Sequence, residues 1–243
     1  MKTKDFFKIN GVSSDDFPNL LVNLPPVPPL AERKYNEYDV GGDEVSVIPD
    51  NAFGDIKYSI EFITVDVLEY DNSALYKLIS EAKTLEISRL DGYYFKVKKA
   101  VLAAPTSVYD GVKVKYKLNF VLSPFKYFKD NPKISINSGD VVENRGTRHS
   151  NPVIEVAGVG EVTITVNGDK FVVDFGNDYK TVIIDSERLI TYYAESKEVL
   201  YNRTRGLYPL LAVGQNQIEF TNDFSESFTT DTVLKITLNE RSY

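Results

Sequence analysis

The chain has 243 residues, and 28 lysines and arginines against 35 aspartates and glutamates give it a formal net charge of −7. Because cysteine is absent, disulfides, thiolate metal ligands and a cysteine nucleophile are excluded. An acidic chain also lacks the basic surface on which free-standing DNA- and RNA-binding proteins depend. The length suits two domains, and 16 tyrosines and 14 phenylalanines without tryptophan favour sheet.

The sequence predicts neither a signal peptide nor a membrane-spanning helix. Met1–Asn10 has no apolar run long enough for a signal peptide, and no part of the chain approaches about 18 consecutive apolar residues.

Four prolines in Pro25–Pro29 lack backbone donors, so this segment is predicted to be an extended spacer outside any sheet. A polyproline ligand for an SH3-like partner is the alternative.

The segment Asp39–Val45 reads DVGGDEV, which is similar to the hairpin of enzymes that cyclise nucleoside triphosphates. That chemistry needs a metal-binding carboxylate and a phosphate loop on an α/β scaffold. No βαβ alternation occurs in this sequence. We therefore predict only a sharp turn at Gly41-Gly42, with Asp43 and Glu44 exposed in a loop.

Long strands and one short helix are predicted next. Tyr58–Tyr70 is rich in β-branched and aromatic residues on both faces, so it is covered on two sides or switched by a bulge. A helix capped by Asn72 or Ser73 follows, because apolar residues recur at helical spacing at Leu75, Leu78, Ile79 and Ala82. Residues 92–105 and 111–124 then predict a hairpin of two strands.

Lys113, Lys115 and Lys117 alternate with apolar residues in the second of these strands. This period of two predicts the solvent face of a half-buried strand rather than a nucleic-acid patch.

Pro124 and Pro132 then interrupt the regular structure. A domain boundary follows near residues 130–145, with predicted domains 1–140 and 141–243.

The second half carries only strand signals at short spacing, and Asn167-Gly168 predicts a tight hairpin turn. The predicted fold is mainly β: an N-terminal β-sandwich or barrel-like domain with one short helix, followed by a C-terminal β-sandwich. The strand signals are PVIEVAG, GEVTITVNGDKFVVDFG, KTVIID, LITYYA, EVLYN, NQIEFTN and TVLKITLNE.

No catalytic constellation is evident. The single histidine is His149, and the sequence has no Gly-x-Ser-x-Gly motif that would supply a serine nucleophile for it. Because cysteine is absent, a zinc site would have only carboxylates as its other ligands. Calcium-loop and dinucleotide spacings are also missing. A glycosidase would need a carboxylate pair, and nothing singles out a pair among Asp174, Asp178, Asp185 and Glu187. We predict no enzyme activity, no metal site and no cofactor.

Two strings nevertheless form a specific pattern. Val141–Gly168 contains Asn-x-Gly-Thr, Ser-x-Pro and Gly-x-Gly, then a strand ending in Asn-Gly, and Gly206–Ile218 reads GLYPLLAVGQNQI. Both resemble siphophage distal tail proteins, the Dit family, although Tyr208 stands where phenylalanine is usual. The matching residues are Asn144, Gly146, Thr147, Ser150, Pro152, Gly158, Gly160, Asn167, Gly168, Pro209, Gly214 and Asn216.

Further strings agree in order with the family: FKINGV with its opening strand, LPPVPPLAERK with its proline-rich segment, and DFGNDYKTVIIDSE with its Ile-Asp-Ser. Two strings depart from it. YDVGGDEV lacks the arginine of the usual Pro-Gly-Arg-Asp-Gly, and LNERSY lacks the usual aromatic–arginine ending. On physical grounds alone, Asn144-Arg145-Gly146 and Asn151-Pro152 are turn sequences, so the motif residues are predicted to be fold determinants.

The resemblance implies a hexameric ring at the distal tip of a long, non-contractile phage tail, built by N-terminal domains with galectin-like C-terminal sandwiches outside. Implied partners are the tail tube protein, the tail-tip or tail-associated protein and receptor-binding proteins, while DNA passes through without specific binding. The implied location is the virion, after synthesis in the host bacterial cytoplasm. We expect Ile60–Val67 and Val112–Leu122 to supply core and ring-interface surface.

Two other functions compete with this hypothesis. A carbohydrate-binding module could stack sugars on tyrosines of the C-terminal sandwich and so attach to a host-cell glycan. A glycosidase with an acid pair is the third hypothesis. The candidate stacking residues are Tyr179, Tyr192, Tyr193 and Tyr208.

Overall fold

The computed structural model describes residues 5–39, 45–65, 72–108, 113–222 and 234–243. They form two compact units, Met1–Lys129 with Tyr243 and Asp130–Ser242. The units change after Lys129, whereas the sequence placed the domain boundary after residue 140. The reason is that residues 133–136 already pair with residues 234–237, deep in the second unit. The predicted mainly β fold is confirmed.

The first unit is one antiparallel sheet with a helix and a separate two-stranded ribbon. In chain order its elements are β1 (Phe7–Ile9), β2 (Val12–Ser13), β3 (Leu20–Val22), β4 (Arg33–Asp39), β5 (Val45–Phe53), β6 (Ile56–Val65), α1 (Ser73–Ser80), β7 (Thr84–Ile87), β8 (Tyr93–Leu102), β9 (Thr106–Val108) and β10 (Lys113–Phe128).

Strand β10 lies in the middle of this sheet, whose order is β2-β1-β7-β8-β10-β6-β3. It pairs with β6 on one side and with β8 and β9 on the other, which confirms the predicted hairpin. Along β6 every second residue from Ile56 to Thr64 is buried, whereas Ile63 and Val65 are half-buried on the other face. The second face is therefore mixed, with exposed Lys57 and Glu61 beside half-buried Ile63 and Val65, so the prediction of two apolar faces is correct only at the end of the strand. Val67 lies outside the described residues.

The helix α1 is the only α-helix among the described residues, and Asn72 stands at its N-cap position as predicted. The Asn72 side chain makes no capping hydrogen bond, because its Oδ1 accepts from Asn19 Nδ2 at 3.2 Å. Leu75 and Ile79 are buried in the core of the first unit, while Ala82 lies beyond the end of the helix.

The proline segment carries no strand, also as predicted, and Tyr58 donates a hydrogen bond to the Pro26 carbonyl at 2.7 Å. No helix in the described ranges is long and apolar enough to cross a bilayer.

The second unit is a sandwich of two antiparallel five-stranded sheets, ordered β11-β20-β13-β16-β17 and β12-β19-β14-β15-β18. Its elements are β11 (Lys133–Ile136), β12 (Val141–Asn144), β13 (Val153–Gly158), β14 (Glu161–Val166), β15 (Asp169–Asp174), β16 (Lys180–Asp185), β17 (Ile190–Tyr193), a 3-10 helix (Tyr201–Arg203), β18 (Thr204–Gly206), β19 (Gly214–Asn222), β20 (Leu234–Thr237) and β21 (Arg241–Ser242).

The alternation of buried and more exposed residues along the strands explains this sandwich, because β13, β14 and β16 each place every second residue in one apolar core. Asn167 and Gly168 have φ values of 51° and 96° and join β14 to β15, which confirms the tight hairpin. The predicted strand EVLYN is wrong. Val199 makes only an isolated bridge to Tyr192, and the chain then enters the 3-10 turn.

Candidate functional site

The most unusual feature of the first unit is the ribbon formed by β4 and β5. Over the described part of the chain these two strands pair only with each other. The predicted turn at Gly41-Gly42, with Asp43 and Glu44, lies between them and outside the described residues. An isolated two-stranded ribbon is marginally stable in water and leaves two unpaired edges.

Both faces of the ribbon expose apolar side chains. Tyr35 and Val47 are each 55% exposed, and the register, in which Glu37 opposes Val47, places them on one face. Ile48 is 53% exposed on the other face. Exposed apolar side chains on both faces of an otherwise unpaired ribbon favour an interaction surface.

The base of the ribbon is held firmly. The Phe53 ring lies 5.3 Å from that of Phe125 and 5.5 Å from that of Tyr243. The Gly54 N–H donates to the Glu32 carbonyl at 2.8 Å, and the Arg33 Nε donates to the Asp50 carbonyl at 2.9 Å. The ribbon is therefore a projecting element on a fixed base.

A second surface of the same unit is the outward face of β6, β10 and β8, here called the lysine face. It carries Lys57, Lys99, Lys113, Lys115 and Lys117, with Val101 and Val121 between them. The alternating prediction for the lysines of β10 is confirmed, since Tyr116 and Leu118 are buried and Lys113 and Lys117 exposed. Lys115 pairs with Glu61 at 2.7 Å, and this hydrogen bond lowers the Glu61 pKa.

In the second unit, the motif residues predicted from the sequence meet in a buried asparagine network. Asn144 is 1% exposed, and its Nδ2 donates to the carbonyls of Arg148 at 2.9 Å and Ala212 at 3.2 Å. Its Oδ1 accepts from the Gly146 N–H at 3.0 Å. A Cβ on Gly146 would lie 2.3 Å from the Arg241 carbonyl oxygen, so this position requires glycine.

Asn216 forms the other half of the network and is fully buried. Its Oδ1 accepts from the Ala212 N–H and from Asn167 Nδ2, both at 2.7 Å. Its Nδ2 donates to the carbonyls of Ala212 at 2.9 Å and Gly214 at 2.8 Å. The side chain therefore fixes the loop before β19 and the β14–β15 turn together.

The other motif residues lie at turns and bridges of the same unit. Ser150 pairs with Leu211 through both backbone groups, and Thr147 N–H donates to Ser242 Oγ at 3.2 Å. Pro209, together with Leu207 and Tyr208, lines an open concavity of this unit. The remaining members are Pro152, Gly158, Gly160, Gly168, Pro209 and Gly214.

An ion pair between a partly exposed arginine and a buried glutamate adjoins this network and was not predicted. Glu240 is 1% exposed, and Arg145 donates to its carboxylate from the backbone N–H and from the Nε and Nη2 groups of the guanidinium. The Arg145 pKa is raised, chiefly by this hydrogen bonding to Glu240. The two residues are 95 positions apart, so no local sequence signal could have revealed the pair.

The carboxylates considered for catalysis cap turns instead. Asp174 accepts from the Gly176 N–H at 2.8 Å, and Asp185 accepts from the Glu187 and Arg188 N–H groups at 3.1 and 3.0 Å. Asp178 lies 3.5 Å from Lys180. These are local turn contacts of the kind that Asp makes with its own backbone.

His149 is half-buried rather than exposed, and its carbonyl accepts from Arg241 Nε at 2.7 Å. Burial is the main reason that its pKa lies below the ordinary value, and the charges of Arg241 and Arg148 add to the effect. Its surroundings are therefore cationic, unlike those of a catalytic histidine held by a carboxylate.

The four candidate stacking tyrosines do not form one platform. Tyr193 is a core residue, and Tyr208 packs on Phe171 with ring centroids 4.7 Å apart. Tyr192 is half-buried, with Lys197 Nζ 5.6 Å from its ring centroid. Only Tyr179 presents an exposed ring beside a concavity.

That concavity lies at the end of β16, in the second unit, and has a volume of about 400 Å³. Lys180, Thr181, Glu195 and Glu198 supply donors and acceptors around it. The loop that carries the two glutamates is held by Tyr193 and Lys197, because the Tyr193 N–H donates to the Glu198 carbonyl and the Lys197 N–H to the Tyr193 carbonyl, both at 3.0 Å.

No protein-family model matches the sequence, and no curated protein matches it either. Among solved structures the chain is similar to SPP1 Dit (gp 19.1), described as a paradigm of the hub adsorption apparatus in phages that infect Gram-positive bacteria. The TM-score is 0.67, and the match covers 98% of this chain and 99% of that chain at 14% identity. The chain has the Dit fold.

The Dit fold accounts for nearly the whole length of the chain, so the resemblance stated from the sequence strings is confirmed at the level of the fold. The ribbon was missed by sequence reasoning. Its only signals were β-branched and aromatic residues on either side of Gly41-Gly42, and Pro49 within the second strand obscured them.

Proposed function

We propose that this protein is a structural component of a phage virion, the hub at the distal end of a long tail. Six copies close into a ring that joins the tail tube protein to the tail-tip or tail-associated protein and to receptor-binding proteins. The Dit fold supports this assignment. The single observation that carries assembly is the ribbon, which exposes apolar side chains on both faces.

Ring closure follows from the asymmetry of such a ribbon. An element that projects from one copy and docks on a different surface of the next makes a head-to-tail contact, and repetition of this contact gives a ring when the rotation closes. Docking would bury Tyr35, Val47 and Ile48 and remove the ribbon from water. The family resemblance supplies the number six.

The charge of the chain fits passage of DNA through the ring. With a net charge of −7 per copy, the protein repels phosphates at long range and does not retain the DNA. We place the protein in the virion after synthesis in the host cytoplasm, without membrane insertion, catalysis or a cofactor. The motif residues of the asparagine network serve as fold determinants.

Light scattering across a range of concentrations, with negative-stain images of the same fractions, tests the ring. We expect a closed ring of six copies for the wild type and monomers for the double variant Val47→Asp, Ile48→Asp. Leu207→Asp, which changes an exposed leucine of the second unit, is the control and retains the ring. A wild-type monomer at every concentration contradicts self-assembly.

The exposed Tyr179 favours a second function, recognition of a saccharide by the second unit. A sugar could stack its apolar face on this ring and hydrogen-bond to Lys180, Glu195 and Glu198 in a concavity of ordinary ligand size. Titration with glucose, galactose and N-acetylglucosamine oligomers tests it. Tyr179→Ala is expected to abolish binding, whereas Tyr201→Ala, a change to another exposed tyrosine, leaves binding intact.

A further inference from the structure

The concavity beside Tyr179 carries an excess of negative charge. Glu195 and Glu198 line it with exposed side chains, and neither makes an ion pair with a described residue. Among the described residues that line it, Lys180 alone is basic, and its ammonium lies 3.5 Å from the Asp178 carboxylate. The two glutamates therefore face the concavity without a cation from this part of the protein.

The lysine between the two glutamates is engaged elsewhere. Lys197 Nζ donates to the Ala194 carbonyl at 2.6 Å and lies 5.6 Å from the centroid of the Tyr192 ring. Side chains alternate along β17, so Tyr192 and Tyr193 lie on opposite faces, and Tyr193 is the one that lines the concavity. The charge of Lys197 is therefore held outside the concavity.

The aromatic walls of the concavity already contact one ammonium group. Lys180 Nζ lies 4.9 Å from the centroid of the Tyr193 ring, which is a cation–π distance. The Tyr179 ring beside it is 54% exposed. A cation that enters the concavity therefore meets an exposed aromatic ring and two carboxylates, and both kinds of group stabilise an ammonium.

We propose that the ligand of this concavity is a cationic saccharide, an oligomer of an amino sugar whose nitrogen carries no acetyl group. The sugar ring packs on Tyr179, and its ammonium group binds the carboxylates of Glu195 and Glu198. Thr181 and Ser196 line the same concavity and supply hydroxyl groups for hydrogen bonds with the sugar. This inference rests on the saccharide function proposed above, and it names the class of sugar.

Two oligomers that differ only in their acetyl groups test the charge. Oligomers of glucosamine and of N-acetylglucosamine, equal in length, are titrated into the wild-type full chain by calorimetry, at a slightly acidic pH that keeps the amino groups protonated. We expect the glucosamine oligomer to bind about tenfold more tightly, since hydrogen bonds between charged groups contribute more than those between neutral groups. High salt is expected to reduce this preference.

Neutral variants of similar size locate the charge. Glu195→Gln, Glu198→Gln is expected to remove the preference, so that the two oligomers bind with equal affinity. The control Glu143→Gln, Glu219→Gln makes the same change in net charge at two exposed positions of the second unit, and it keeps the preference. Loss of the preference in both variants would attribute it to the net charge of the chain and overturn the inference.

Spermine, a linear polyamine without a sugar ring, separates recognition from simple attraction to an acidic protein. We expect it to bind more weakly than the glucosamine oligomer, because it has no ring to pack on Tyr179, and equal binding overturns the inference. If the wild type binds both sugar oligomers with equal affinity, the amino-sugar inference is wrong while the saccharide function stands. If it binds neither oligomer, both are wrong.

Discussion

The ribbon and the asparagine network use polar and apolar groups in opposite ways. In the network every buried amide group of Asn144 and Asn216 has a partner within the second unit. In the ribbon, apolar side chains remain in water and both backbone edges lack a neighbouring strand among the described residues. From this difference we expect substitutions in the network to lower stability, and substitutions in the ribbon to leave stability nearly unchanged while weakening the proposed association.

Loss of Asn216 is expected to have the largest effect on stability. Asn216→Ala leaves the Ala212 N–H and two carbonyls without their partners in a buried position, which we expect to cost about 3 kcal/mol of unfolding free energy. Urea denaturation followed by fluorescence measures it. Gln215→Ala, at an exposed neighbour, is the control, and equal losses in the two variants would refute the role of the network.

Removal of Arg145 comes next. Arg145→Ala leaves the buried carboxylate of Glu240 with only one backbone donor, and we expect a loss of about 2 kcal/mol after allowing for the partly exposed guanidinium. Arg205→Ala breaks the exposed pair with Glu161 and is expected to cost less than about 1 kcal/mol. Similar losses in the two variants would contradict the importance of burial.

The double variant that removes the exposed apolar groups of the ribbon sharpens the comparison from the other side. Val47→Asp, Ile48→Asp changes side chains that already lie in water, so the unfolding free energy of the monomer is expected to stay within about 0.5 kcal/mol of the wild type. Denaturation at low protein concentration measures this. A loss as large as that of Asn216→Ala would mean that the ribbon belongs to the core of the first unit.

The smallest effect concerns pH. The His149 pKa is lowered in the folded state, so the unfolded chain takes up a proton first as the pH falls below the ordinary value of 6.5. The fold therefore loses stability in that range. His149→Gln is expected to reduce the loss between pH 7 and pH 5, measured by urea midpoints at each pH. Parallel pH profiles for variant and wild type would contradict it.

Local signals predicted much of this fold. The helical spacing of Leu75 and Ile79, the alternation in β10 and the turn at Asn167-Gly168 each act over a few residues, so the sequence pattern records them. Residues 133–136 were missed because a four-residue strand after a proline becomes evident only through its pairing with residues 234–237.

The candidate site was harder to predict because its residues act at a distance. Asn144 and Asn216 were selected through the family resemblance, but their contacts with Ala212 depend on the packing of two sheets. The prediction of a strand at EVLYN was wrong because β propensity carries no information about the turn that brings Val199 back to Tyr192. Exposure of Val47 and Ile48 could not be predicted either, because two adjacent β-branched residues before a proline do not indicate whether their strand lies in a covered sheet.

The hydrogen bonds at Asn167 also bear on chemical ageing. In an Asn-Gly sequence the unhindered glycine nitrogen attacks the asparagine side-chain carbonyl and expels ammonia to form a succinimide. When water then opens this ring at the backbone carbonyl, the product is an isoaspartate whose backbone is one carbon longer. Here Asn167 Nδ2 donates to Asn216 at 2.7 Å, and its Oδ1 accepts from the Gln217 N–H at 3.0 Å. These two hydrogen bonds restrict rotation of the Asn167 side chain, so we expect this Asn-Gly turn to deamidate more slowly than an Asn-Gly sequence in an unfolded chain.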